Sequence, residues 1–230
     1  MTNDQSIPNG QMSKPQGLVI FTESIRWLGV RWGLGPMRQG LRRAGIDAEV
    51  LYWRWHETWR GWTVLPAIMD QPMLHREAQR LADFIATTRR EHPNRPIYLM
   101  GYSCGAFVAL RALELLPTDV QVDAVVFLAA AFDPDHDLTA AMSRVRGNIV
   151  NCSSVLDFLI VGAGTCLFGT ADRTFGPSAG MVGLRHASAN DPRVVQVRWG
   201  PGMMAQGYFG DHFTVAAPEF VARHVAPLLM

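Results

Sequence analysis

A serine hydroxyl becomes an effective nucleophile only when a histidine takes its proton and a carboxylate orients and stabilises the imidazolium. One serine in this chain is set for that task. Gly101-Tyr102-Ser103-Cys104-Gly105 spells G-x-S-x-G between two runs of opposite habit. Before it, Pro96-Ile97-Tyr98-Leu99-Met100 is short and apolar, as suits a fully buried parallel strand. After it, residues 105–116 are rich in helix formers and stop at Pro117. The chain must therefore turn sharply from strand to helix at Ser103, and the two glycines remove the β-carbons that so tight a bend would bring into collision. Such a turn holds the hydroxyl above the edge of a sheet. An oxyanion forming there needs fixed backbone donors, and the N–H of Cys104 is the first of them.

The elements that must position this serine follow from the hydrophobic pattern. Gly17-Leu-Val-Ile-Phe21 reads as a buried strand, and the residues from Gly35-Pro36 to Gly45 as a helix ended by glycine. Residues 48–53 give a second strand. An amphipathic helix is predicted from Pro72 to Glu91, with Leu74, Ala78, Leu81, Phe84 and Ile85 on one face and Pro93 closing it. The serine strand comes third. Residues 124–129, 148–152 and 194–199 supply three more, with a short helix near 138–145 and a last helix over 218–229. Helices alternating with strands imply right-handed crossovers and a parallel sheet covered on both faces.

In this strand-turn-helix setting the pentapeptide resembles the nucleophile elbow of the α/β-hydrolase superfamily, and the resemblance extends from Gly17 to the C terminus. It implies a mainly parallel sheet of about six strands in the order 2-1-3-4-5-6. This would be a reduced form of the fold, since nothing before Gly17 makes room for leading antiparallel strands and residues 130–147 are too short for a large lid. It also implies the chain order serine, acid, histidine. On that order His212, in a glycine-flanked loop before the last helix, is the expected base, with His186 as the runner-up. Asp157, leaving the fifth strand, is the expected acid. Asp133 after the fourth strand and Asp172 are the alternatives, whereas Asp211 adjoins His212 and adjacent side chains usually diverge. The second oxyanion donor is expected in the loop after the first strand, from the N–H of Ser24 or of Glu23, where the familiar His-Gly pattern is missing and a carboxylate is out of place. The activity implied is that of a serine esterase or lipase-like acyl hydrolase working through an acyl-enzyme, without cofactor or metal. A thioesterase, amidase or acyltransferase would keep the same triad, and a binding protein could keep only the fold.

Composition narrows the partners. The chain has 230 residues, 48% hydrophobic and 18% charged, with a net charge of +1. That length suits one domain over residues 17–230, and that charge gives no footprint for nucleic acid. Residues 1–16 are polar, hold Pro8, Gly10 and Pro15, and read as a disordered tail without signal-peptide character. No apolar run is long enough for a membrane-spanning helix. The three cysteines, Cys104, Cys152 and Cys166, make no metal-ligand spacing and, with no leader, read as reduced thiols in a cytoplasmic protein, a Cys152–Cys166 bridge being the alternative; the small ester or acyl substrate is what the resemblance implies. Two stretches remain. The run from Tyr52 to Trp62 is unusually aromatic and leaves the second strand at the edge that carries Ser103. Large aromatics are mainly packing residues, so Trp53, Trp59 and Trp62 are expected either to cover the core or to wall an apolar acyl pocket, with a peripheral membrane contact as a third use. Between Asp157 and Val194 glycines recur without periodicity, marking a long loop of the kind that often carries function.

Overall fold

The computed structural model describes residues 16–24, 26–27, 32–58 and 69–229. Six strands form one parallel sheet: β1 (Gly17–Thr22), β2 (Ala48–Trp53), β3 (Ile97–Tyr102), β4 (Ala124–Leu128), β5 (Ile149–Ser153) and β6 (Val194–Arg198). Their order across the sheet is 2-1-3-4-5-6, as the resemblance implied. The register carries β1 as the hub, with Val19 beside Val50 of β2 and Tyr98 of β3.

Period-two alternation distributes the core between the two faces. Leu18 and Ile20 of β1, Ile97 and Leu99 of β3, and Val125 and Phe127 of β4 point to one side. There they meet α2 (Gln71–Glu91) and α3 (Cys104–Leu115), through residues such as Leu81, Ile85, Val108 and Leu110. Val19, Phe21, Met100, Tyr102 and Val126 point to the other side, against α1 (Leu34–Arg43) and the C-terminal helical segment. Both faces are apolar because both are covered, which is why these strands read as continuous hydrophobic runs rather than alternating ones.

The helix boundaries have local causes. Asp70 caps α2 by accepting the Met73 N–H at 3.0 Å, and α2 ends just ahead of Pro93. Gly45, at φ +75°, closes α1 with N–H bonds from Gly45 and Ile46 back to the carbonyls of Arg42 and Leu41. The last helix is not regular. An α turn at Pro218–Phe220 widens to a π turn at Val221–Val225 and tightens to a 3-10 turn at Ala226–Leu228. Pro227 explains this, since it has no N–H to offer the carbonyl four residues back and its ring crowds that carbonyl. A two-residue parallel pair, Arg26–Trp27 with Glu57–Thr58, lies apart from the main sheet and was not expected from the pattern. Among the described residues no helix is long and apolar enough to cross a membrane.

Candidate active site

The turn at Ser103 sits between β3 and α3 with φ 56° and ψ −123°, a region that residues with a side chain seldom occupy. Its surroundings show why glycine stands two residues to either side of it. A β-carbon on Gly101 would collide with Ala106, and one on Gly105 would collide with the carbonyl oxygens of Thr22 and Glu23 at the end of β1. The bend is held from outside as well. The Ser103 N–H donates to the Leu128 carbonyl at 2.8 Å, and the Ser103 carbonyl accepts from Ala106 and Ala131. The buried Thr22 hydroxyl lies 3.1 Å from the Met100 carbonyl and 2.9 Å from that of Gly105, pinning the strand end to the turn. Sequence reasoning missed Thr22, because a threonine ending a strand carries no signal of what lies across the sheet.

Ser103, His212 and Asp157 come together in one hydrogen-bonded line. His212 Nε2 is 3.0 Å from Ser103 Oγ, and His212 Nδ1 is 2.6 Å from Asp157 Oδ2. All three are buried. The histidine loop is fixed by Tyr102, whose hydroxyl donates to the His212 carbonyl at 2.9 Å and whose ring lies 5.2 Å from the imidazole. Gly210, at φ +83°, lets the loop pass against Ser154, Leu156 and Trp199. Burial pushes the Asp157 carboxyl up, and the bond to His212 opposes that shift. An ion-stabilising contact in so dry a place is stronger than it would be in water.

The other sequence candidates are engaged elsewhere. Asp133 Oδ2 accepts from Thr174 and its Oδ1 from the Asp135 N–H. Asp172 bonds to His136, 3.3 Å from Nδ1. His186 Nδ1 lies 2.9 Å from Ser188 Oγ. Asp211 does not reach the imidazole beside it, because its carboxylate caps the following turn by accepting from Phe213, Thr214 and the Thr214 hydroxyl.

The N–H of Cys104 opens α3 and makes no hydrogen bond among the described residues, so it is available at a helix N-terminus. Burial, with the charge of Asp172 nearby, pushes the Cys104 thiol up to about 12, which keeps it protonated beside Ser103. The Glu23 side chain is engaged on the backbone of a later residue. Its Oε1 accepts the Gly33 N–H at 2.5 Å, and its carbonyl accepts from Trp55 Nε1 at 2.5 Å. Ser24, half-buried, follows directly. All three cysteines are unpaired.

A cavity of about 310 Å³ opens beside Ser103, lined among others by Met69, Ala131, Leu159, Ile160, Phe168 and Ala171. Of the uses expected for the tryptophans, Trp53 takes the packing one. Trp53 does not line this cavity but packs on Phe84, 5.3 Å between rings, under the Arg80 guanidinium at 4.8 Å. Its strand sends that side chain to the α2 side of the sheet, into the core. Trp59 and Trp62 lie outside the described residues, as do residues 1–15 of the tail expected over residues 1–16. The apolar wall comes instead from residues 158–171, the start of the glycine-rich loop, which form a π turn (Leu159–Gly164) and an α turn (Thr165–Phe168).

This sheet order, with a strained serine at the carboxyl edge of its third strand, defines an α/β hydrolase. The chain belongs to the family described as serine aminopeptidase, S33, which matches residues 66–196. Among curated proteins none matches it. Solved structures share the fold. A lipase-esterase related protein from Clostridium acetobutylicum is 11% identical, with 94% of this chain and 95% of that one covered at a TM-score of 0.52. Carboxyl esterase 2 from the mycorrhizal fungus Tuber melanosporum is 9% identical, with 95% and 80% covered at a TM-score of 0.51.

Proposed function

We propose that this protein is a serine hydrolase of carboxylic esters with an apolar acyl group. The observation that carries the reading is the unbroken line from Ser103 Oγ through His212 to Asp157, at 3.0 and 2.6 Å. These are the distances a nucleophile, its base and the base's orienting acid need. Ser103 Oγ attacks the acyl carbon and its proton passes to His212 Nε2. The tetrahedral oxyanion takes hydrogen bonds from the Cys104 N–H and from a second backbone donor at Ser24 or Glu23. Collapse expels the alcohol, which leaves with the proton from His212. Water, deprotonated by the same imidazole, then attacks the acyl-enzyme and releases the acid. Each step uses only groups of the chain, so no cofactor enters.

The cavity supports the choice of substrate. At about 310 Å³ it is at the small end of ligand pockets, which run to about 1,000 Å³, and apolar side chains dominate its lining. The family description favours a second reading, cleavage of a peptide beside a free amino terminus. Such a substrate needs a carboxylate to meet its ammonium, and among the described residues lining this cavity none carries one. A short apolar ester fits better than an N-terminal peptide. The test is labelling by a small alkyl fluorophosphonate, read by mass spectrometry, together with turnover of p-nitrophenyl butyrate. Ser103 should carry the label, and Ser103→Ala should lose it along with several orders of magnitude in kcat. A folded wild-type protein that resists the probe and leaves the ester intact refutes the reading.

A further inference from the structure

A second carboxylate–histidine cluster lies outside the line at Ser103. His136 is placed between two acids, with Nε2 2.7 Å from Glu114 Oε1 and Nδ1 3.3 Å from Asp172 Oδ2. Glu114 also pairs with Arg111, one turn earlier on α3. Asp172 further accepts the Asp133 N–H at 3.0 Å and the Thr170 hydroxyl at 2.6 Å. Taking two carboxylates and an imidazole out of water costs several kcal/mol, and a cluster that satisfies them so fully is rigid. A second cavity of about 340 Å³ adjoins it, but the charges there cancel, Arg111 and His136 against Glu114 and Asp172, so it has no surplus to attract an ion.

The position of the cluster gives it a use. Residues 158–171, which wall the cavity at Ser103, leave the body at Asp157 and return to it at Asp172. The wall is thus strung between two aspartate–histidine pairs, Asp157 with His212 at its start and Asp172 with His136 at its end. From the second pair the connection to the site is short. Ala171, next to Asp172, lines the cavity and donates its N–H to the Ala131 carbonyl at 2.8 Å, while its own carbonyl accepts from Gln71 at 2.5 Å. Ala131 in turn donates to the Ser103 carbonyl at 3.2 Å. The first half of the wall is also tied to the body midway, where the Ser178 N–H donates to the Val161 carbonyl at 2.9 Å, so the clamp bears chiefly on the end of the wall that reaches Ala171.

We propose that Glu114, His136 and Asp172 form a clamp that fixes the wall of the acyl cavity, making His136 and Asp172 positioning residues that set acyl-chain preference. This rests on the ester-hydrolase reading above. The clamp touches no reacting atom and acts through Ala171 and the wall. Releasing it lets the wall yield to longer or branched acyl groups without altering the serine's reactivity.

The experiment compares wild type with Asp172→Asn and His136→Gln. Asparagine at 172 keeps an acceptor for Asp133 and Thr170, which favours folding, and Glu114→Gln is the milder third variant. Amide hydrogen exchange over residues 158–171 should quicken at least tenfold. The ratio of kcat/KM for p-nitrophenyl decanoate to that for the acetate should rise at least fivefold, carried by KM, with kcat on acetate within twofold of wild type. Labelling of Ser103 by a small fluorophosphonate should stay within twofold. Variants that melt earlier but keep the wild-type chain-length profile overturn the proposal, as does unchanged exchange in the wall. Wild-type protein inert to both probe and ester refutes the hydrolase reading itself, whereas reactive wild type with an unmoved profile overturns this assignment alone.

Discussion

Raising the pH should loosen the fold in one place before others. Burial works against a charged His136, but the hydrogen bonds and charges of Asp172 and Glu114 prevail and hold its pKa at about 9 against an ordinary 6.5. A base whose folded pKa is raised adds stability that is complete below the unfolded pKa and is lost as the pH climbs through the folded one. The window is therefore about pH 6.5 to 9. At pH 7 the linkage is worth roughly 2.5 kcal/mol, and by pH 10 it is nearly gone. For a chain of this size about 2–4 °C of melting temperature goes with each kcal/mol, which converts the loss to about 5–10 °C. The groups facing His136 are Glu114 and Arg111 from α3 and Asp172 from the wall's end, with His75 of α2 lining the adjoining cavity. All but His136 itself are shared by a His136→Gln variant, so the difference between the two proteins isolates its titration. Thermal melts followed by circular dichroism at unit steps from pH 6 to pH 10 make the measurement. Wild type should fall further than the variant by that margin, with most of the divergence below pH 9. Parallel curves would refute the reasoning, because they would mean that no proton is held at His136 by folding.

Three further outcomes can be measured on single variants. Asp157→Asn should lower kcat on p-nitrophenyl butyrate by three orders of magnitude or more, because an amide neither stabilises the imidazolium nor enforces the right tautomer; Asp133→Asn should leave it within a few-fold, and the reverse ranking would remove Asp157 from its role. Gly105→Ala should leave little folded protein, or cost at least about 3 kcal/mol in denaturant melts, because its β-carbon meets two main-chain carbonyls that have no rotamer to escape into; a variant of normal stability would show that the turn is looser than described. Trp53→Ala should cost about 3–5 kcal/mol as a lost packing residue while leaving the preference among acyl chains intact, and a changed preference would return Trp53 to the substrate pocket.

Strand order and the serine turn were legible because each is written locally. Buried parallel strands must be apolar throughout, and a strand-to-helix bend with no space for a β-carbon must use glycine, so residues 97–105 can be read without their neighbours. The choice among Asp133, Asp157 and Asp172 is different. Asp133 and Asp157 leave the sheet at the same edge, Asp172 sits further along the connection to β6, and what separates the three is which side chain each meets, Thr174, His212 or His136. The cavity wall was hidden for another reason. Residues 158–171 fold as a π turn followed by a short α turn, and neither runs long enough at 3.6 residues per turn to print a periodicity. The aromatic run from Tyr52 drew attention instead, although an exposed-looking string of tryptophans says little about which way each ring will face. Trp53 turned to the core, and Trp55 became a strut on Glu23.

The two aspartate–histidine pairs that bound this wall also show why the same residue types do different work. His136 has a carboxylate on each ring nitrogen, so both are occupied as donors and the proton has nowhere to go. His212 has a carboxylate on one nitrogen and the Ser103 hydroxyl on the other, which leaves Nε2 free to accept. The acids differ to match. Burial opposes charge on both, but Asp172, with His136, the Thr170 hydroxyl and the Asp133 N–H around it, is held below the usual carboxylate range, whereas burial carries Asp157 above it. An acid saturated with donors locks a cation in place and makes an anchor. An acid left with one main side-chain partner in a dry pocket directs its whole interaction to that partner, which is what an imidazole needs if it is to take a proton from serine and return it to a leaving alcohol.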